Sequence, residues 1–538
     1  MALSIVSCRL PSGDTPVCGV TLEPYVVVRR GETNTTATAD EVPEEGSGDS
    51  RYCLRFRVDS RKSFHCSTDC LKQHWSLHRD LHSQRRLAGQ PDNGYLSESS
   101  FKVSNTYSNG GETWIEVGKT RLLTPTAEDV GSVLKCEVVA IDSASPYTEI
   151  GKSFSVPTAR VRPAPSPPKR NLVAITPPKH IVAAGKFTAL TYNLLADLYA
   201  TAEQFSYCQP WVLAWGYRKQ NLLKELLGYR ADILCLQEVQ SNHFHDFLAP
   251  ELQKHGYTAI YKKKTTEIYT GNSYAIDGCA TFFRRDRFAL VKKYEVEFNK
   301  AALSLSDNIQ PDQKKAALNR LLKDNVALIA VLEALDPPHP EATAAGRRQL
   351  ICIANTHIHA NPELNDVKLW QVHTLLKGLE KIAASADIPM LVAGDFNSVP
   401  GSAAHSLLVK RSVEPNHPEL HNDPLGILRP ASKLQHQLPL ASAYAAMAET
   451  RDPDPIVQKQ RRRMDLKHHE PKFTNVSKDF KGTLDYILYT TDSLVPTATL
   501  ELPEDSEVKP RPNSGLPNEH WSSDHIALLA EFHYRAPN

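Results

Sequence analysis

From about residue 185 onward the chain repeats one pattern, a short apolar run that ends on a polar side chain. Phe187–Tyr192 ends on Asn193, and Ile233–Leu236 leads into Gln237 and Glu238. Leu350–Ala354 leads to His357, and Leu391–Ala393 to Gly394, Asp395, Phe396 and Asn397. Asp485 lies in Thr483–Ile487, and Ser523-Asp524-His525 precedes the apolar Ile526–Leu529. Runs of this length, bounded by turn-formers and rich in branched residues, predict buried strands. Between them Gln220–Leu227 and Leu375–Ile382 carry helical spacing of apolar residues, and the alternation predicts layered α/β architecture. In such folds chemistry gathers where strands leave the sheet. Asp395 and Asn397, two apart on extended chain, point to the same side. An isolated Gly-Asp-x-Asn would read as a turn; the recurrence of polar strand ends argues for a site.

Residues 1–160 are patterned differently and predict a smaller, mostly β region. Val26–Val28, Tyr52–Val58 and Val133–Val139 are strand candidates, the second with period-two alternation. Glu112–Gly118 followed by Pro125–Gly131 resembles a strand and corner of an immunoglobulin-like sandwich. Residues 161–180, with Pro163, Pro165, Pro167, Pro168, Pro177 and Pro178, predict a linker to a catalytic domain spanning 181–538. Asp452–Pro455 and the basic Gln458–Arg463 read as a surface insertion, either a solvated loop or a contact to RNA phosphates.

Length and charge narrow this picture. At 538 residues the chain is too long for one ordinary domain. Lys plus Arg number 62 against 61 Asp plus Glu, so a nucleic-acid partner has to be held by a local basic site and not by a global field. No apolar run approaches a membrane span, and Ala2–Val6 is too short for a signal segment. The expectation is a soluble protein of the cytoplasm, also of the nucleus, with no membrane partner. Cys235, Cys279 and Cys352 inside apolar strands read as reduced buried thiols, so the sequons at Asn34 and Asn475 are taken as chance.

Within residues 62–84, Cys66-x3-Cys70-x7-His78-x3-His82 offers two thiolates and two imidazoles, a tetrahedral zinc set with both histidines on one helix face. The alternative is free thiols and histidines on a frayed helix. The segment looks like the second half of a MYND-type finger, whose first Cys-x2-Cys pair is missing here, so that neither the interleaved pattern nor the docking of Pro-rich partner peptides can be assumed.

Were the reaction at these strand ends a phosphodiester hydrolysis, as the resemblance given below implies, it would need charge neutralisation, a placed and activated water, and a stabilised leaving alkoxide. A lone carboxylate after an apolar strand suits Mg2+, a hard ion that prefers oxygen, and Glu238 is that residue. Asp395 and Asn397 would orient or deprotonate the water and contact a second ion. Asn193 and Asp524 are expected as neighbours of Glu238, and Asp485 and His525 read as an acid/base pair, the carboxylate fixing and charging the imidazole. His357 takes a phosphate-binding role from its place in the series, and His359 receives none.

The order Asn193, Glu238, His357, Asp395/Asn397, Asp485, Asp524/His525 resembles the endonuclease/exonuclease/phosphatase superfamily, related to pancreatic deoxyribonuclease and apurinic endonuclease. Thr191–Asp197, Cys235–Val239, Asp277–Phe283, Asp366–Leu369, Phe473–Asn475 and Phe480–Ile487 narrow the resemblance to the carbon-catabolite-repressor type deadenylases, in their plant-like form. It implies a four-layer α/β sandwich with two facing sheets. It also implies Mg2+-dependent 3'-to-5' removal of AMP from mRNA poly(A) tails, with two ions held by Glu238, Asp395, Asn397, Asp524 and His525. Pro362 and Phe480 would sandwich the terminal adenine, whose edge Asn397 would read. The implied partners are poly(A) RNA and a deadenylation complex containing a DEDD-type deadenylase. Animal and fungal members reach that complex through leucine-rich repeats, and this sequence contains no Leu-x-x-Leu-x-Leu repeat. The competing readings are a nucleotide or inositol-phosphate phosphatase on the same fold, and a scaffold acting through the N-terminal region.

Overall fold

The computed structural model describes residues 3–9, 15–20, 22, 25–30, 52–59, 106–109, 112–118, 123–141, 149–175, 185–270, 273–306, 311–335, 348–385 and 388–535. Cys66, Cys70, His78 and His82, and with them the zinc expectation, lie outside the described residues. The chain divides into two compact units, Met1–Pro165 with Ala214–Tyr217, and Ser166–Leu213 with Arg218–Asn538.

In the first unit β1 (Leu3–Arg9) pairs with β2 (Tyr25–Arg30). A second, antiparallel sheet joins β3 (Tyr52–Asp59), β4 (Thr106–Asn109), β5 (Glu112–Gly118), β6 (Val133–Ile141) and β7 (Glu149–Arg160) in the order β4-β5-β3-β6-β7. β2, β3, β5 and β6 cover the strand candidates of the sequence, whereas β1, β4 and β7 were not marked by it. The expected corner after Pro125 is a 3-10 turn over Ala127–Asp129, where buried Asp129 accepts the Thr126 N–H.

The second unit holds two larger sheets. The first contains β8 (Leu172–Ala174), β9 (Lys186–Asn193), β10 (Ile233–Gln237), β11 (Tyr257–Lys263), then, past the hairpin β12 (Ile268–Thr270) and β13 (Ser273–Ala275), β14 (Gly278–Arg284). The second contains β15 (Phe288–Glu297), β16 (Val326–Ala334), β17 (Leu350–His357), β18 (Met390–Asp395) and β19 (Leu440–Ser442). After the short pairs β20 (Met464–Asp465) with β21 (Glu470–Pro471) and β22 (Asn475–Val476) with β23 (Lys481–Gly482), β24 (Asp485–Thr490) joins the second sheet. β25 (Leu494–Leu500) and β26 (Leu528–Tyr534) return to the first. The orders are β11-β14-β10-β9-β26-β25-β8 and β15-β16-β17-β18-β24-β19.

The apolar alternation decides how these sheets pack. Phe187, Ala189, Ile233 and Cys235 of the first sheet share one buried core with Leu332, Ile351, Ile353, Leu391 and Ile487 of the second. Their strand neighbours Cys352, Ala354, Val392 and Leu488 point the other way, into a core with Val367, Leu375 and Leu379 of the helix Asn365–Ser385. Full burial of each Val, Leu, Ile or Phe among them contributes about 1.5–3 kcal/mol. On the first sheet the helix Trp215–Tyr229 is tied to β9 by Tyr192, whose hydroxyl donates to Glu225 at 3.0 Å. Helix, sheet, sheet and helix make the expected sandwich. Cys235, Cys279 and Cys352 are buried free thiols, as expected, and no helix among the described residues is long and apolar enough to cross a membrane.

Two expectations are corrected. The Pro-rich stretch is not a spacer throughout, because Leu172–Ala174 pairs with β25 as an edge strand and buries Val173 in the inter-sheet core. Arg170 donates to the carbonyls of Glu501 at 2.6 Å and Ala527 at 2.9 Å. The basic run near 460 is a helix, Pro455–Arg462, capped by Asp454 and folded inward. Gln460 hydrogen-bonds the backbone of Leu500 and Leu502, and buried Arg463 pairs with Glu501 at 3.0 Å and Glu504 at 2.6 Å. Lys459 also approaches Glu504, at 3.8 Å, and Arg461 donates to the Ala448 carbonyl at 3.0 Å.

Strand direction gathers the polar ends. β9 and β10 run parallel with Asn193 beside Gln237, and β17 and β18 run parallel with His357 beside Asp395. Their C-terminal ends therefore coincide. β24 is antiparallel to β18 and starts with Asp485 opposite Asp395. β26 is antiparallel to β9 and starts with Leu528 opposite Thr191, so Asp524 and His525 enter at the same end. The parallel pair also fixes one glycine. Gly394 has φ 150°, and a Cβ there would stand 2.0 Å from the Thr356 carbonyl oxygen.

Candidate active site

Asn193 links the two sheets. Its amide nitrogen donates to Glu238 Oε1 at 3.0 Å and to Asp395 Oδ2 at 2.9 Å. The other Glu238 oxygen accepts the Ala196 N–H at 2.9 Å, and Asp395 Oδ1 accepts the Asn397 N–H at 2.9 Å. Glu238 and Asn397 adopt left-handed backbone, φ 50° and 47°. Such strain in non-glycine residues concentrates where geometry serves function. Asn397 is held further by its amide donating to the Ile358 carbonyl at 2.9 Å, and by Lys368 donating to its own carbonyl at 2.7 Å.

Asp395 is flanked by two imidazoles. His357 Nε2 and His525 Nε2 each stand 3.6 Å from its Oδ2. The far nitrogen of His525 lies 2.7 Å from Asp485 Oδ2, which also accepts the Thr474 hydroxyl at 2.6 Å. His525 thus bridges two buried carboxylates. Ser523 fixes the segment, donating to the Asn193 carbonyl at 2.6 Å and accepting the His525 N–H at 3.1 Å. Asp524 is half-buried and accepts from the Asn475 amide at 3.0 Å.

The electrostatics follow from burial. Burial pushes Asp395 up to about 7, with Asp485 adding to the rise and the His525 charge opposing it. Burial opposes charge on His525, but Asp485, Asp395 and Asp524 outweigh it and raise its pKa well above the usual imidazole range. Burial, with Lys264 and His525 nearby, lowers His357 well below that range. The surroundings thus favour the charged form of His525 and the neutral form of His357. Burial also raises Glu238, with Asp277 and Asp524 adding to the rise.

This donor set fits divalent metal. Asp395, Asp485 and His525 each offer a ligand atom, all within 4.8 Å of one another. Buried Asp485 Oδ1 and His357 Nδ1 have no hydrogen-bond partner, and crowded carboxylates are what a hard cation relieves. Of the expected ligands, Asp395 and His525 belong to this cluster; Glu238 reaches Asp395 through the Asn193 amide, and Asp524 is not in the cluster. Asp485, expected only as a partner of His525, joins the cluster of ligand atoms.

The rim holds the remaining expected residues. Phe480 is 37% exposed on the turn between β22 and β23, and its ring covers Gly482, where a Cβ would meet it at 2.9 Å. That hairpin is rooted in the site, since Thr474 and Asn475 bind Asp485 and Asp524. Pro362 is exposed in the turn between β17 and the helix Asn365–Ser385. Sequence reasoning missed Lys264, which is buried and paired with Asp277 at 2.9 Å, while Tyr199 donates to the same carboxylate at 3.2 Å. Asp277 opens a recognisable stretch, but nothing local marks which lysine of Lys262–Lys264 turns inward. It also missed Gln237 and Asn355, buried amides 2.8 Å apart on opposite sheets.

Comparison with known proteins agrees with this geometry. The Endonuclease/Exonuclease/phosphatase family profile matches residues 190–525. Carbon catabolite repressor protein 4 homolog 2 of Arabidopsis thaliana is 48% identical over 601 aligned positions, covering 98% of each chain. The CCR4-Not complex 3'-5'-exoribonuclease subunit Ccr4 of Schizosaccharomyces pombe is 32% identical over 64% of this chain and 49% of its own. Among solved structures, ANGEL2, described as a 2',3'-cyclic phosphatase, superposes with a TM-score of 0.51 at 30% identity, covering 68% of this chain and 99% of its own. The chain belongs to the endonuclease/exonuclease/phosphatase family, and within it to the carbon catabolite repressor type of poly(A) ribonuclease in its plant-like form.

Proposed function

We propose that this chain is a Mg2+-dependent 3'-to-5' exoribonuclease that shortens mRNA poly(A) tails and releases AMP as a catalytic subunit of a deadenylation complex. The observation that carries the reading is the meeting of Asn193, Glu238, His357, Asp395, Asp485 and His525 at one end of two facing sheets. Bound divalent ions would neutralise the scissile phosphate and acidify the attacking water. Asp395, held by Asn193 and by the Asn397 N–H, would take that water's proton. Water attacks phosphorus, the bond to the upstream O3' breaks, and the terminal nucleotide leaves as AMP. When it does not bind metal, His525, fixed by Asp485 and favoured in its charged form, would hold a phosphate oxygen or give its proton to the departing O3'. Asn193 keeps Glu238 and Asp395 at a fixed separation. Phe480 and Pro362 are exposed, and would hold the terminal adenine between them, with Asn397 at its edge. The names of the fungal relatives support the exoribonuclease class and membership of the complex.

Product release from oligo(A), oligo(U) and a small phosphate ester tests the proposal. AMP should leave oligo(A) fastest, and Glu238→Gln should abolish turnover without changing the circular dichroism spectrum. Preference for the ester, or normal turnover by Glu238→Gln, would overturn it. The likeness to ANGEL2 favours a second reading, hydrolysis of 2',3'-cyclic phosphate ends. Oligo(A) with a cyclic end, supplied beside one with a free 3'-hydroxyl, separates the two.

A further inference from the structure

We propose that Tyr269 and Tyr274 form a stacking platform for the RNA bases upstream of the nucleotide being removed, a proposal that rests on the exoribonuclease reading. The two residues face each other across β12 and β13. Their rings lie 5.1 Å apart at 61°, and they are 62% and 71% exposed. Large exposed aromatics presented together on a hairpin mark a surface that meets something.

Where the hairpin is rooted says what it meets. At its base the Lys264 N–H donates to the Asp277 carbonyl at 2.8 Å, and Ser241 N–H to Ile276 at 2.8 Å. Gly278, at the start of β14, exchanges two backbone hydrogen bonds of 3.0 Å with Val239, the residue after Glu238. The Lys264 charge is felt at Glu238, His357 and His359 alike. Tyr274 lies three positions before Asp277, so its Cα is at most about 11 Å from that of Asp277. The platform therefore stands beside the metal-ligand end of the first sheet. A polynucleotide whose 3' end occupies the site has to leave across the rim. Tyrosine faces stack on any base, so this contact adds grip along the tail without choosing its sequence. Lys263, its side chain 57% exposed and only loosely paired with Glu267 at 3.9 Å, supplies a cation for the passing phosphates.

The test compares the full chain with Tyr269→Ala, Tyr274→Ala and the double variant on oligo(A) of about twenty and about three nucleotides. Each exposed ring lost should raise KM for the long substrate about tenfold with kcat unchanged, leave the short substrate unaffected, and be restored by phenylalanine. A double variant whose KM for the long substrate stays within about twofold of wild type overturns the proposal. So does an equal loss on both lengths, which would place the rings in the site itself. A wild-type chain inactive on oligo(A) overturns the exoribonuclease reading and this one with it, whereas an active wild type with an insensitive KM overturns this one alone.

Discussion

Gln237 and Asn355 offer the sharpest perturbation of the site that touches none of its metal ligands. Both are fully buried between the sheets. Gln237 Nε2 donates to Asn355 Oδ1 at 2.8 Å, to Thr191 Oγ1 at 3.1 Å and to the Cys235 carbonyl at 3.0 Å. Asn355 Nδ2 donates to the carbonyls of Ala280 at 2.9 Å and Leu236 at 3.2 Å. Gln237 directly precedes Glu238, while Asn355 stands two residues before His357 and beside Ala393, two before Asp395. The two amides thus clasp the sheet bearing Glu238 to the sheet bearing Asp395. Asn355→Leu removes those bonds and leaves part of Gln237 unsatisfied, which costs about 1–3 kcal/mol. Adding Gln237→Leu removes the orphaned group, so the double variant should lose less than the sum of the singles, by about 1 kcal/mol. Activity should not follow stability. A displacement of about 1 Å between reacting groups costs about 10²-fold in rate, so kcat should fall by roughly that factor in both Asn355→Leu and the double variant. Urea unfolding measures the stabilities, and single-turnover cleavage of oligo(A) with a Mg2+ titration measures the rest. A folded double variant with kcat within about twofold of wild type would refute the reasoning, as would a loss that merely tracks the unfolded fraction.

Two further outcomes follow from the same geometry. Burial with the Lys323, Lys368 and Lys264 ammonium groups holds His359 down at about 4, and burial with Arg218 and Lys219 holds His243 down at about 3. The unfolded chain binds these protons near pH 6.5 and the folded chain does not, so their contribution to stability is intact above about pH 6.5 and declines as pH falls towards 4. Thermal unfolding from pH 8 to pH 5 should fall less steeply in His359→Gln than in wild type, and equal slopes would contradict the assignment. Gly394→Ala would place a methyl group 2.0 Å from the Thr356 carbonyl oxygen in a strand buried on both faces. Loss of soluble folded protein, or a midpoint lowered by several degrees with activity lost, is expected, and a variant with wild-type midpoint and turnover would show that β17 and β18 can separate without consequence.

Each strand that delivers a site residue could be read in the chain, because a buried strand writes itself as an apolar run and the polar residue ending it stands out against that run. Asn193, Glu238, His357 and Asp395 were legible for this reason. Register was not. That Asp485 lies opposite Asp395 depends on a pairing between segments 90 positions apart in sequence, and nothing near either residue encodes it. Lys262 and Lys264 show the same limit at close range. Both sit near the end of β11, yet one pairs outward with Glu295 and Glu297 while the other turns in to Asp277. Arg463 and Leu172–Ala174 were misjudged because composition marks charge and proline as surface, whereas a paired guanidinium or an edge strand is a tertiary fact. Gln237 and Asn355 combine both difficulties, since each looks like a lapse in a hydrophobic run and gains meaning only from the other, 118 residues away. The consequence is physical. No single element of this protein contains its chemistry; the first sheet brings Asn193, Glu238 and His525, the second His357, Asp395 and Asp485, and whatever fixes one sheet against the other sets the distances on which hydrolysis depends.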